Sequence, residues 1–157
     1  MTDADASDRR DPIPHQPARS AMISPIDIAL LFARLGTASF LLFQTHDNVL
    51  STERMEEFAA FLAAHGYPLP AALAPLVVGL QVLMAVLLLA GVMVRPVGLA
   101  LMGMFVVALV TVHLQQPFNL WSPALALVQF GAIFAAAGGG TLGIGRRQPD
   151  REDQIPS

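Results

Sequence analysis

Residues 71–94, AALAPLVVGLQVLMAVLLLAGVMV, contain no charged side chain. A helix needs about 20 apolar residues to cross the hydrocarbon core of a bilayer, so this stretch is long enough to span a membrane. Three other apolar stretches of similar character lie at residues 26–45, 97–114 and 120–137. The pattern predicts an all-α integral membrane protein, a bundle of four membrane-spanning helices.

The overall composition supports a membrane protein and excludes several kinds of chemistry. Hydrophobic residues make up 54% of the chain and charged residues 13%, with a mean hydropathy of +0.57, which is outside the usual balance of soluble domains. Cysteine is absent, so this chain by itself forms neither disulfides nor thiolate metal sites. A net charge of −3 gives no support for nucleic-acid binding.

The distribution of arginine predicts the orientation in the membrane. Seven arginines fall on the side that holds both tails and the turn between spans two and three, against Arg54 on the other side; the seven are Arg9, Arg10, Arg19, Arg95, Arg146, Arg147 and Arg151. The positive-inside rule then places both termini in the cytoplasm, most simply at the inner membrane of a bacterium. Four aromatic residues fall near the opposite, outer boundary of the membrane, as expected for an aromatic belt at that interface. They are Phe43, Tyr67, Phe118 and Trp121.

Outside the spans, the sequence divides into two tails and one short helix. Residues 1–22 are acidic and proline-rich, which predicts a disordered cytoplasmic tail, and residues 146–157 predict a second one. The membrane domain is then 23–145. After span one, Ser51 or Thr52 can cap a helix whose apolar stripe includes Phe58 and Leu62. We expect this amphipathic helix to lie along the outer membrane interface, as a packing lid, a quinone entrance or a partner surface.

Several motifs resemble those of the DoxX family of small four-span membrane proteins. They include Arg34-Leu35-Gly36 in span one, a polar cluster from Gln44 to Asn48, and an amphipathic segment that leads to Gly66-Tyr67-Pro68; a leucine-rich second span that ends near Gly91 and Arg95 follows. The resemblance covers about residues 26–147. Two features depart from the family pattern: Gln81 stands where many relatives carry a glutamate, and the outer cluster lacks the commoner His-Gly pair.

This resemblance implies a subunit associated with membrane oxidoreductase systems. Some members are linked to the oxidation of thiosulfate or thiols, with electrons passed to quinone. The implied cofactor is quinone, and the implied partner is a membrane or soluble oxidoreductase. Since family membership does not establish catalysis, a non-catalytic scaffold is the alternative. A small-solute permease is a second alternative. A bundle this small would need a second copy of the chain to enclose a pathway for a solute across the membrane.

Arg34 is the first candidate binding residue because a charge inside a span costs roughly 2.5–3.5 kcal/mol unless it finds partners. Gln44 continues its helix face toward the outer surface, and Gln81 and Gln129 lie near the middle of spans two and four. If these side chains converge, they can hold each other in a structural network or bind a quinone carbonyl or another small polar headgroup.

His46 and His113 form a second candidate site, since each closes a span that runs toward the outer face. With Asp47 beside His46, they are the candidate catalytic residues for proton relay. Haem or metal ligation is a weaker alternative for the same pair, and the sequence predicts no metal site. The simplest alternative is that both histidines are ordinary polar residues at the membrane interface.

Overall fold

The computed structural model describes residues 23–113, 117–140 and 143, and all regular structure within them is helical. The helices are α1 (Pro25–Leu50), α2 (Thr52–Ala64), α3 (Pro70–Ala90), α4 (Val94–Ala108) and α5 (Phe118–Ala137), and one π-helical turn (Leu109–His113) extends α4. The predicted all-α class is confirmed. Both predicted tails, 1–22 and 146–157, lie outside the described residues.

Four helices in the described part are long and apolar enough to cross a membrane: Pro25–Leu50, Pro70–Ala90, Val94–Val112 and Phe118–Ala137. Only 22–33% of the most apolar window of each helix is buried inside the protein. Large apolar side chains such as Phe32, Leu76 and Phe118 are exposed instead. Because exposed apolar surface of this extent needs an apolar solvent, the helices form an integral membrane bundle.

The first span begins at a well-defined cap. The Oγ atom of Ser24 accepts a hydrogen bond from the N–H of Ile26 at 3.3 Å, and the Asp27 carboxylate accepts one from the N–H of Ser24 at 3.0 Å. This reciprocal arrangement is a capping box, which satisfies N–H groups that have no partner inside a helix. The helix then continues to Leu50, beyond the predicted end at residue 45.

The turn between the second and third spans lies earlier than predicted, at residues 91–93 and not at residues 95–96. Helix α3 ends at Ala90 because Gly91 adopts a left-handed conformation, with φ of 70°, which favours glycine and stops a helix. Helix α4 begins at Val94, so Arg95 and Pro96, expected in the turn, lie in its first helical turn. Proline is tolerated there because the first N–H groups of a helix have no helical partner.

The helices pack in two groups. Helix α4 packs most closely against α5, whereas α1 packs against α3, and α2 covers both α1 and α3. The α4–α5 contact brings two backbones together, since a Cβ atom added to Gly131 would lie 2.7 Å from the backbone nitrogen of Met102. By contrast, α1 and α5 scarcely touch. Their weak contact leaves an opening in the wall of the bundle.

Helix α2 is amphipathic as predicted. Ser51 caps it by accepting a hydrogen bond from the N–H of Arg54 at 3.3 Å, Leu62 is buried, and Glu53 and Glu56 are exposed. Its position along a membrane interface stays a prediction. We call the end of the bundle next to α2 the α2 side, and the end where α1 begins and α5 finishes the tail side.

Candidate functional site

Arg34 is buried near the tail side, where it joins three helices. Its side chain is 2% exposed, and Nη1 donates a hydrogen bond to the Gly139 carbonyl at 3.1 Å. The guanidinium also lies against Gly91, where an added Cβ atom would be 2.9 Å from Nη1. Gly91 and Gly139 follow the C-terminal ends of α3 and α5, which carry unpaired carbonyl groups and partial negative charge. Arg34 therefore holds these two helix ends against α1.

Asp27 belongs to the same cluster and was not singled out as a site residue by the sequence. It is 6% exposed and lies two helical turns before Arg34, on the same face of α1. A Cβ atom added to Gly140 would be 2.7 Å from its Oδ1 atom, and one added to Gly139 would be 3.2 Å from Arg34 Nη1. The two charged side chains thus border the same glycine segment. The sequence signal that could have identified Asp27 is its spacing of seven residues from Arg34, which puts both side chains on one face of a helix.

The three glutamine candidates do not gather around Arg34. Gln81 and Gln129 each lie ten positions before the glycines that Arg34 contacts, which is about 15 Å along a helix axis. Gln129 and Gln44 are exposed, and Gln81 is partly buried. None of the three forms a hydrogen bond with the described residues. The structure therefore separates Arg34 from the amides with which the sequence grouped it.

His46 and Asp47 lie together on the α2 side. The Nε2 atom of His46 is 2.9 Å from Asp47 Oδ1, and its Nδ1 atom hydrogen-bonds to the Phe43 carbonyl. Both ring nitrogens therefore face acceptors, and both side chains are exposed. His113 ends the π-helical turn on the same side, but its side chain lies outside the described residues. In the described part of the chain, no three acidic or histidine side chains are grouped as a metal site would require.

A groove of about 340 Å³ lies between α1 and α5. Its α1 wall consists of Phe32, Ala33, Gly36, Thr37 and Phe40, and its α5 wall of Pro123, Ala126, Leu127 and Phe130. Phe32 is 69% exposed and Phe130 37%, so the groove opens on the outer surface of the bundle. Since that surface faces lipid, a ligand dissolved in the membrane can enter sideways. The volume is within the range of small-molecule sites.

Thr37 is the one polar side chain that lines this groove. It is 4% exposed, and its buried Oγ1 atom has no hydrogen-bond partner within the described residues. The Nε atom of Arg34, one helical turn away, also lacks a partner there. An unpaired buried hydroxyl is uncommon because burial without a hydrogen bond costs free energy. The sequence alone did not identify this groove.

The sequence match supports the resemblance described above. A model of the DoxX family matches residues 29–114, which is more than half of the chain. The chain belongs to the DoxX family. The DoxX match includes Arg34, Thr37 and the polar cluster at the end of α1, but it stops before α5, which supplies the second wall of the groove. No curated protein and no solved structure matches the chain.

Proposed function

We propose that this DoxX protein is a membrane subunit of an oxidoreductase system that passes electrons to quinone. The observation that carries this proposal is the groove between α1 and α5, which opens to lipid and is lined by three phenylalanines and one threonine. Quinones reside in the hydrocarbon core, and a lateral opening allows them to enter without crossing the aqueous phase. Family membership adds the oxidoreductase context.

The electrons come from a sulfur compound outside this chain. Two thiols that form a disulfide release two electrons and two protons, and a quinone that accepts both pairs becomes a quinol. Because this chain has no cysteine, the thiols belong to a partner protein or to a diffusing substrate. Thiosulfate is the second donor class that the family suggests, with two thiosulfate ions joining through sulfur and releasing two electrons.

The proposed setting is the inner membrane of a bacterium, with both tails in the cytoplasm. In that orientation His46, Asp47 and His113 lie at the outer face, where they exchange protons with the aqueous phase. His46 is nine residues from Thr37, half a turn around the helix from it. The histidine is therefore proposed as a surface proton acceptor and not as a ligand of the quinone in the groove.

The first test fills the groove. A Cβ atom added to Gly36 meets nothing within 4 Å, so the backbone there accepts a side chain, and Gly36→Ile adds bulk at the groove wall. Gly103→Ile is the matched control, because Gly103 is also an exposed glycine in a span with open space around it. We expect Gly36→Ile to weaken binding of a decyl-substituted benzoquinone in nanodiscs at least tenfold, and the control to bind like the wild type.

Redox function is tested in membranes that contain the native partners. Reduction of the same quinone, driven by dithiothreitol or thiosulfate, should be slower with Gly36→Ile than with Gly103→Ile. Equal binding and equal rates for both variants would overturn the proposal.

A scaffold function is the second candidate, and one observation favours it. Helix α2 exposes Glu53, Glu56 and Glu57 on a surface that a basic partner can bind. If quinone binding is absent but a partner enzyme is lost from membranes when these three glutamates are changed to glutamine, the scaffold explains the protein better.

A further inference from the structure

Thr37 differs from the other threonines in the spans that the structure describes. Thr45 Oγ1 donates a hydrogen bond to the Leu41 carbonyl at 2.8 Å, and Thr111 Oγ1 donates one to the Val107 carbonyl at 2.7 Å. Each satisfies its hydroxyl four residues back along its own helix, as threonine commonly does. Thr37 makes no such bond. Its hydroxyl therefore has no hydrogen-bond partner within the described residues.

The Thr37 hydroxyl needs a change of rotamer to contact a ligand in the groove. Thr37 lines the groove, while its Oγ1 atom is covered by protein atoms. Threonine in a helix occupies two χ1 rotamers, and rotation about this bond moves the hydroxyl relative to the groove wall. Gly36, the neighbouring lining residue, has no side chain, and an added Cβ atom there would meet nothing within 4 Å. The inference therefore includes a change of the Thr37 rotamer when the ligand binds.

The depth of Thr37 limits the chemistry of that ligand. The apolar part of α1 runs from residue 26 to residue 45, so Thr37 lies about 16 Å from one end of it and about 12 Å from the other. This position is close to the middle of a hydrocarbon core about 30 Å thick. Phospholipid headgroups and ester groups lie at the core boundaries, so their oxygens do not reach Thr37. The acceptor must belong to a molecule whose polar atoms are stable at the membrane centre.

We propose that Thr37 donates a hydrogen bond to a carbonyl oxygen of a quinone ring bound in the groove. The inference rests on the proposed function and names the residue that selects the ligand. Phe32, Phe40 and Phe130 supply apolar and aromatic surface for a ring. Acyl chains also fit such a surface, but they have no oxygen at this depth. Thr37 therefore distinguishes a carbonyl-bearing ring from ordinary lipid.

The test compares Thr37→Val and Thr37→Ser in nanodiscs. Valine keeps the shape and removes the hydroxyl, whereas serine keeps the hydroxyl. The chain has one tryptophan, Trp121, which lies two residues from Pro123 in the groove. Quenching of its fluorescence measures binding of a decyl-substituted benzoquinone. We expect Thr37→Val to weaken binding roughly 3- to 10-fold, as loss of one hydrogen bond predicts. Thr37→Ser should stay within about twofold of the wild type by the same scale.

Decylbenzene, which lacks carbonyl groups, is the control ligand. Its affinity, measured by displacement of the quinone, should be the same in wild type and Thr37→Val. Unchanged quinone binding by Thr37→Val, together with weak binding by Gly36→Ile, would overturn the role of Thr37 and leave the groove as the quinone site. Wild-type binding by Gly36→Ile would instead overturn the groove itself. Equal losses for quinone and decylbenzene in Thr37→Val would show a packing effect and also overturn the inference.

Discussion

At the scale of single residues, Arg34 and Thr37 show two different ways to bury a polar group in a membrane span. Arg34 has a partner, the Gly139 carbonyl, and neighbours at the ends of α3 and α5. Thr37 has no hydrogen-bond partner in the described part of the chain. Buried polar groups without partners destabilise a fold, so the two positions should respond differently to substitution.

For Arg34→Ala, we expect a loss of roughly 2 kcal/mol of stability, because hydrogen bonds to charged groups contribute about 1.5–3 kcal/mol. Arg34→Lys should lose less, since lysine keeps the charge but not the planar group that contacts both helix ends. Thermal unfolding in detergent measures both effects. Arg54→Ala on exposed α2, with its surface pair to Glu57, is the control and should change little. An Arg34→Ala protein as stable as the wild type would contradict the structural role of Arg34.

Thr37→Val is expected to leave the ligand-free protein as stable as the wild type or slightly more stable. The substitution removes a buried hydroxyl that makes no bond, so no hydrogen bond is lost. Thr45→Val, which removes a bonded hydroxyl at a position that is 2% exposed, should lose about 0.5–1 kcal/mol. The melting temperatures of the two variants provide the comparison. A larger loss for Thr37→Val than for Thr45→Val would mean that the Thr37 hydroxyl has a partner in the membrane.

At the scale of helices, the α4–α5 pair is the most tightly built part of the bundle. A Cβ atom added to Gly98 would lie 2.5 Å from the Ala135 backbone nitrogen, closer than atoms approach without displacement. Small residues at such contacts let helices pack closely where no hydrophobic effect drives association. The α1–α5 contact has no such close approach of two helix backbones, and the groove lies between these two helices.

Gly131→Ala tests this difference between helix pairs. The added methyl group must push α4 and α5 apart, which typically costs 1–3 kcal/mol for an overpacked core. Gly79→Ala in α3 is the control because a Cβ atom there meets nothing within 4 Å. We expect unfolding of Gly131→Ala in detergent to begin at a lower temperature, and Gly79→Ala to match or exceed the wild type. The α4–α5 packing described above would be contradicted if the two variants melted together.

At the scale of the whole molecule, the absence of cysteine makes the orientation directly measurable. Glu56→Cys places a thiol on exposed α2, and Asp150→Cys places one in the C-terminal tail. We expect a membrane-impermeant maleimide to label Glu56→Cys on intact cells and Asp150→Cys only after lysis, since the positive-inside rule places the arginine-rich tails in the cytoplasm. Cysteine-free wild type is the background control. Labelling of the tail on intact cells would reverse the proposed orientation.

The sequence was sufficient for the all-α membrane fold because hydropathy along the chain is a local property. A stretch of about 20 apolar residues spans a bilayer whatever its neighbours are. The amphipathic character of α2 followed in the same way from the spacing of Phe58 and Leu62. The limits of α3 were less predictable, because Gly91 ends the helix through its backbone conformation and the apolar pattern continues past it.

Only the tertiary structure decided which polar groups meet. The sequence grouped Arg34 with Gln81 and Gln129 by approximate depth, but helical side chains point toward the helix N-terminus, and the long arginine side chain reaches the tail side. Its partner there is a backbone carbonyl, which carries no signature in residue type. The groove depends on residues of α1 and α5 that are far apart in the chain, and on the weak packing between these two helices. Hydropathy determines that a helix enters the membrane, whereas the fit between helices determines where a space remains.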